Sequence, residues 1–140
     1  PRGRTSSTHF FAEGLPETEK LAARIGEVTG LDRRHAEPLQ GQRYRKGEEY
    51  RHHRDHFRVD RPHWQVERRR GGQRSWTAMV YLNGVEAGGE TEFPELDLKI
   101  APEAGMLVMW DNRSVLHKAT GGYEGYRREL HRTTIAAWSG

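Results

Sequence analysis

The sequence predicts a mainly β domain, either a sandwich or a barrel, with one or more flanking helices. Three observations support this class. The chain has 140 residues, which is the size of one domain. One amphipathic segment near its beginning is followed by seven short segments with strand-like alternation. Turns rich in glycine and proline separate these segments. No apolar run approaches the roughly 20 residues that a membrane-spanning helix needs, so we expect no membrane partner.

The single predicted helix runs from Pro16 to Thr29. Proline is tolerated in the first helical turn, and Gly30 is suited to the position after the last one. Apolar residues recur between them at helical spacing, namely Leu21, Ala22, Ile25 and Val28.

The rest of the chain has the pattern of short strands. The predicted strands are Leu39–Arg45, Tyr50–Phe57, Ser75–Leu82, Leu96–Ile100, Met106–Asp111, Ser114–Lys118 and Arg128–Trp138. Dipeptides such as Asn83-Gly84 mark the turns between them. The segment Arg58–Arg70 shows no clear period, and we predict a loop there.

The basic charge is unevenly distributed along the chain. The net charge is +3, and 19 of the 23 basic residues are arginines. The segment Gln42–Arg74 holds eleven basic and five acidic residues. Such a segment is compatible with a solvated face, with nucleic-acid binding, or with a cleft for small anions, because arginine binds carboxylates and phosphates through its planar fork.

The composition restricts any metal site to His, Asp and Glu ligands, since the chain has no cysteine. His53 and Asp55 are two positions apart in a predicted strand, so we expect their side chains to share a face. His117, on another predicted strand, is the candidate third ligand, although alone it could be a buried core histidine. Two histidines and one carboxylate form the facial triad of non-haem Fe(II) oxygenases.

The last predicted strand carries two arginines with the same parity, Arg128 and Arg132. They are separated by about 13 Å of extended chain, so we expect different partners for them. A buried arginine needs an anion, and a dicarboxylate cosubstrate would offer bidentate geometry. Ion pairs across the sheet surface are the alternative.

These residues together resemble the prolyl 4-hydroxylase type of Fe(II)/2-oxoglutarate-dependent dioxygenase. The resemblance runs in order along most of the chain. Its motifs are Arg4-Thr5-Ser6-Ser7, Tyr50-x-x-His53-x-Asp55, Gly71-Gly72-Gln73-Arg74, Gly88-Gly89-Glu90-Thr91-Glu92-Phe93-Pro94 and Leu116-His117.

The resemblance implies a double-stranded β-helix, which is a jelly-roll, cupin-like barrel, with Fe(II) held by His53, Asp55 and His117. It implies 2-oxoglutarate and O2 as cosubstrates. Residues implied to bind 2-oxoglutarate are Tyr44, Thr77 and a basic residue after the distal histidine, for which Arg128 is preferred over Arg127 and Arg132. Residues implied to bind substrate are Arg4, Ser6, Glu37, Tyr50 and Arg132.

The expected reaction is hydroxylation of an unactivated C–H bond, with succinate and CO2 as co-products. The substrate would be an amino acid, a small amino-acid-derived metabolite or a peptidyl proline; Glu37 could line a peptide groove or hold a free amino group. The alternative is a basic nucleic-acid-binding β-barrel without catalysis. We expect nucleic acid not to be the partner, because nucleic-acid binding does not explain why His53, Asp55 and His117 occur in this order in the chain.

Residues 1–140 are expected to form a single catalytic domain that lacks the usual N-terminal strand and helix of this family. No secretory signal is visible, so we expect a cytoplasmic protein. The sequence leaves the oligomeric state open.

Overall fold

Two antiparallel sheets pack face to face in the computed structural model, which describes residues 3–114, 116–119 and, by their backbone, 130–138. The first sheet has the strand order β1-β2-β9-β4-β7, and the second has the order β3-β8-β5-β6. The strands are β1 (Ser7–Phe10), β2 (Gln40–Tyr44), β3 (Tyr50–His53), β4 (Arg74–Tyr81), β5 (Thr91–Phe93), β6 (Leu98–Ile100), β7 (Leu107–Asp111), β8 (His117–Ala119) and β9 (Leu130–Trp138). This architecture confirms the predicted mainly β class.

The helix α1 (Pro16–Thr29) has the predicted bounds. Pro16 lies in the first turn, where its missing N–H removes no helical hydrogen bond. Gly30 ends the helix in the left-handed conformation, with φ 74°, and its N–H donates to the carbonyl of Gly26. Ala22 and Ile25 are the buried residues of the helix.

Strand β4 is buried on both faces and joins the two cores of the domain. Met79 and Tyr81 contribute to the core between the sheets, which also contains Tyr44, Phe93, Val108, Trp110 and Ala119. Ala78 and Val80 belong to the other core, with Ile25 of α1 and Leu39. The alternation of a strand thus sends one row of side chains inward and the other toward the helix.

Several boundaries differ from the sequence predictions. The predicted strand Tyr50–Phe57 ends at His53, because the chain bends after Arg54. The short strands β1 and β5 were not predicted. The prediction of a loop over Arg58–Arg70 was wrong in its second half, which forms the helix α2 (Trp64–Arg70). A buried Glu67 pairs there with His63 at 2.7 Å and with Arg70 at 3.8 Å.

Among the described residues, no helix has the length and apolarity to cross a membrane.

The packing of α1 on the sheet leads to the first prediction. Ile25 is 3% exposed between Leu39, Ala78 and Val80. Ile25→Ala should therefore lower the free energy of unfolding by about 2–5 kcal/mol. Val28→Ala, on the same helix but 58% exposed, should change it by less than about 0.5 kcal/mol. Urea denaturation measures both values, and equal effects would contradict the docking of α1 through Ile25.

Candidate metal centre

Pairing of β3 with β8 brings two of the predicted ligands together. His53 and His117 are register partners in this antiparallel pair, and their ring centroids lie 4.2 Å apart. His117 is buried against Trp110 and Phe93, with centroid separations of 4.7 and 6.0 Å. The sheet register therefore fixes the distance between the histidines, and the packed core restrains His117.

Asp55 completes the cluster from a bend that follows β3. Its Oδ1 lies 3.2 Å from Nε2 of His53 and 3.5 Å from Nε2 of His117. Potential ligand atoms of the three residues all lie within 4.8 Å of one another. The sequence argument placed Asp55 beside His53 by strand alternation. The two side chains do meet, but Asp55 is outside the strand, so the bend brings its carboxylate to the histidines.

The surroundings of Asp55 keep its carboxylate ionised. Burial on its own would raise the pKa of Asp55. This effect is outweighed by the hydrogen bond from His53, by the charge interaction with His117 and by the hydrogen bond from Thr77, so the pKa of Asp55 lies well below its usual range. The group is a carboxylate at any physiological pH.

Hydrogen bonds orient the donor atoms of the cluster. Nδ1 of His53 lies 2.7 Å from the carbonyl oxygen of Arg51. Because a carbonyl only accepts, this contact places a proton on Nδ1 and directs Nε2 toward Asp55. The hydroxyl of Thr77 donates to Oδ2 of Asp55 at 2.8 Å, and the amide of Asn112 donates to Thr77 at 2.8 Å. Both Thr77 and Asn112 are fully buried.

The donor set fits a divalent metal ion. An ion held at about 2.1 Å by neighbouring nitrogen and oxygen ligands leaves those donors about 3 Å apart. The separations of 3.2 and 3.5 Å between Asp55 and the two histidines are close to this spacing. Two imidazoles with one carboxylate suit iron in particular.

The N-terminal segment lies beside this cluster. Tyr50 stacks on the His53 ring, with a centroid separation of 3.5 Å and an interplanar angle of 18°. Arg4 forms a β-bridge with Tyr50, and its guanidinium lies 5.3 Å from the centre of the Tyr50 ring. Burial and the charge of Asp55 raise the pKa of Tyr50. Among the described residues, the buried hydroxyl oxygen of Ser6 has no hydrogen-bond partner. The structure thus brings Arg4 and Tyr50 beside the candidate metal centre, whereas the role of Ser6 stays a prediction.

Glu37 is held in an ion pair with Arg74. Nε and Nη2 of Arg74 donate to the two carboxylate oxygens of Glu37 at 2.6 and 2.8 Å. Arg74 also lies over the Phe57 ring, 4.3 Å from its centroid. Sequence analysis missed Arg74, Gln73 and Asn112 as residues around the cluster. The first two belong to the Gly71-Gly72-Gln73-Arg74 motif, which was the available signal.

The structure describes only some of the residues that are predicted to hold a cosubstrate carboxylate. Tyr44 is buried in the core between the sheets, with its hydroxyl 3.5 Å from Oε1 of Gln42. Thr77 contacts Asp55, and its role toward a cosubstrate stays a prediction. The backbone of Arg132 in β9 lies opposite Gln42 of β2 and Tyr81 of β4. Arg127 and Arg128 lie outside the described residues.

Ion pairs neutralise much of the basic segment Gln42–Arg74. Six of its arginines pair with carboxylates within 4.0 Å, namely Arg51 with Glu49, Arg54 with Glu95, Arg58 and Arg61 with Asp60, Arg70 with Glu67 and Arg74 with Glu37. The local excess of positive charge is therefore less available to an outside anion than the sequence count indicates.

Comparison with known proteins agrees with the geometry of this cluster. A probable prolyl 4-hydroxylase of Arabidopsis thaliana is 40% identical over 94 residues, which cover 66% of this chain and 31% of the relative. The chain thus spans less than a third of the length of this curated relative. Among solved structures, a collagen prolyl hydroxylase of Paramecium Bursaria Chlorella virus-1 is similar with a TM-score of 0.73 and 27% identity, covering 96% of this chain and 80% of the viral one.

The fold is also shared with the cupins. A cupin domain from Bordetella pertussis matches with a TM-score of 0.51 and 12% identity, covering 98% of this chain and 95% of that domain. This likeness identifies the two-sheet barrel as a double-stranded β-helix. The family model of the 2OG-Fe(II) oxygenase superfamily matches residues 39–140, which include His53, Asp55 and His117. The chain belongs to the 2OG-Fe(II) oxygenase superfamily.

Proposed function

We propose that this chain is the catalytic domain of an Fe(II)- and 2-oxoglutarate-dependent dioxygenase that hydroxylates an unactivated C–H bond. The observation that carries the proposal is the convergence of His53 and His117 on Oδ1 of Asp55 within a chain of this superfamily. These three residues would hold Fe(II), leaving coordination positions open for cosubstrates. The bound iron supplies the redox chemistry by which O2 and 2-oxoglutarate give a hydroxylated product, succinate and CO2.

Neighbouring residues orient the candidate ligands His53 and Asp55. The carbonyl of Arg51 fixes the tautomer of His53, and Thr77 holds one oxygen of Asp55 so that the other faces both imidazoles. Because Asp55 is already ionised, a metal has no proton to displace from it. Tyr50 covers one face of the His53 ring and limits the access of water.

Removing the carboxylate tests the metal assignment. Asp55→Ala should lower succinate release by more than about 100-fold, which exceeds the loss that follows when only a supporting hydrogen bond is removed. It should also weaken Co(II) binding measured by calorimetry. Asp60→Ala is the matched control, since Asp60 is an exposed carboxylate paired with Arg58. Undiminished turnover in Asp55→Ala would exclude the triad.

We propose that the far carboxylate of 2-oxoglutarate is held by Arg132. The sequence favoured Arg128, but the β9 register supports Arg132, whose backbone lies opposite Tyr81 on a strand that lines the core between the sheets. A charged hydrogen bond contributes about 1.5–3 kcal/mol, and about 1.4 kcal/mol corresponds to a tenfold change in affinity.

This assignment predicts different effects for the two arginines. Arg132→Met should raise the Kd of 2-oxoglutarate by at least about tenfold, whereas Arg128→Met should change it by less than about threefold. Anaerobic calorimetry with the Mn(II)-loaded protein measures both. The reverse pattern would assign the contact to Arg128.

We propose a peptidyl proline as the substrate, because proteins similar to this chain include prolyl hydroxylases. Arg4 and Tyr50 lie beside the candidate metal centre, where we expect them to contact an extended peptide. Glu37, expected either to line a peptide groove or to hold the amino group of a free amino acid, is engaged by Arg74. A free amino acid or a small metabolite derived from one is the competing substrate.

Succinate release with proline-rich peptides and with free amino acids distinguishes these substrates. We expect turnover and a mass gain of one oxygen atom with the peptides. Arg4→Gln should raise KM for the peptide by about tenfold with little change in kcat, because it removes binding that is equal in ground and transition states. Arg24→Gln, an exposed change on α1, is the control. Turnover of free amino acids alone would contradict the peptide proposal, and salt-dependent binding of RNA or DNA without turnover would favour the nucleic-acid alternative.

A further inference from the structure

We propose that Glu37, Gln73 and Arg74 form a clamp that positions the loop carrying Asp55, and thereby sets the metal affinity of the site. The inference rests on the proposed metal centre and adds three positioning residues to it. None of the three is a ligand of the cluster. Gln73 and Arg74 contact the backbone or the ring of the segment 54–57, and Glu37 acts through Arg74.

The loop needs support because the sheet does not hold it. β3 ends at His53, where it pairs with His117, and Asp55 and His56 belong to a bend. Ladder hydrogen bonds therefore restrain His53 but not Asp55. A carboxylate on an unsupported loop would not stay opposite both imidazoles, since small displacements of a ligand are enough to weaken a site.

Gln73 replaces the missing ladder bonds. Its side-chain Oε1 accepts a hydrogen bond from the N–H of Phe57, and its Nε2 donates to the carbonyl of the same residue at 2.9 Å. One amide thus satisfies both backbone groups of a residue two positions after Asp55. These two hydrogen bonds resemble those of a β-bridge, and they fix the end of the loop next to the start of β4.

Arg74 contacts the same loop in two further ways. Its Nη1 lies 3.5 Å from the carbonyl oxygen of Asp55, and its guanidinium covers the Phe57 ring. The first contact is long for a hydrogen bond, but the planar group meets both the start and the end of the segment Asp55–Phe57. Gly72, with φ 91°, provides the turn that leads from α2 into Gln73 and Arg74.

Glu37 fixes Arg74 from the opposite side. The two parallel hydrogen bonds leave the guanidinium one orientation, with its remaining edge toward Asp55. Burial lowers the pKa of Arg74, but the hydrogen bonds and charge of Glu37 raise it above its usual value, so Arg74 stays a cation. Glu37 and Arg74 side chains are 14% and 29% exposed, so solvent screens this pair less than the surface pairs.

The clamp can be tested by metal affinity, which a merely structural role would leave unchanged. Gln73→Met keeps the length of the side chain but removes both bonds to Phe57, and Glu37→Gln removes the charge that orients Arg74. Each should raise the Kd for Co(II) by about 10–100-fold, the range seen when residues that orient metal ligands are changed. At saturating metal, kcat should recover to within about threefold of the wild-type value.

Matched controls separate the clamp from general effects of the substitutions. Gln65→Met makes the same change on the exposed face of α2, and Asp60→Asn neutralises an exposed carboxylate paired with Arg58. Both should bind Co(II) with a Kd within twofold of wild type. Thermal unfolding of each metal-free variant identifies any that does not fold. In that event Arg74→Lys replaces it, because lysine keeps the charge next to Glu37 but lacks the fork that reaches Asp55.

Three results decide the question. A 10–100-fold rise in the Kd for Co(II) in folded Gln73→Met and Glu37→Gln supports the clamp. A Kd within twofold of wild type in both, or a raised KM for peptide without a change in metal affinity, overturns it, the second result making Glu37 a substrate contact. If wild type and Asp55→Ala bind Co(II) equally, the proposed metal centre itself fails, and the clamp has no site to position.

Discussion

The carboxylate of Asp55 is the group on which the rest of the site depends. Taking a charged group out of water costs several kcal/mol unless partners replace the lost solvation. Here His53, His117 and Thr77 supply them, and together they hold the pKa of Asp55 below its usual range. The partners come from β3, β8 and β4, so one carboxylate links both sheets of the domain. The site is therefore inseparable from the packing of the sheets.

Strand β4 shows how the fold transmits order to this carboxylate. Gln73, just before the strand, and Arg74, its first residue, support the Asp55 loop, and Thr77 donates to the carboxylate itself. The residues between Ala78 and Tyr81 then alternate between the helix side and the core between the sheets. Because the strand is buried on both faces, a shift of register would disturb the loop, the helix and the core together. Packing far from the metal ligands thus restricts their geometry.

The sequence predicts the parts of this structure that depend on local patterns. The bounds of α1 follow from Pro16, the apolar spacing and Gly30, and two histidines with one aspartate indicate a metal site. The bend after β3 depends on contacts with Gln73 and Arg74, which are 16 and 19 positions away from their partners on the loop. The engagement of Glu37 by Arg74 spans 37 positions. Such contacts leave no periodic signal in a single sequence.

The preference for arginine over lysine in this chain follows from the same contacts. Exposed arginines form fork-shaped pairs with aspartates two positions away, as Arg34 does with Asp32, and Arg58 with Asp60. Exposed pairs of this kind contribute at most about 1 kcal/mol each. Arg74 uses the same planar group at a partly buried position, where it bonds Glu37, covers Phe57 and approaches Asp55. A lysine ammonium has no planar group to make all three contacts. One arginine of the basic segment is therefore part of the architecture of the candidate metal centre, whereas exposed arginines such as Arg51 and Arg58 are paired at the surface.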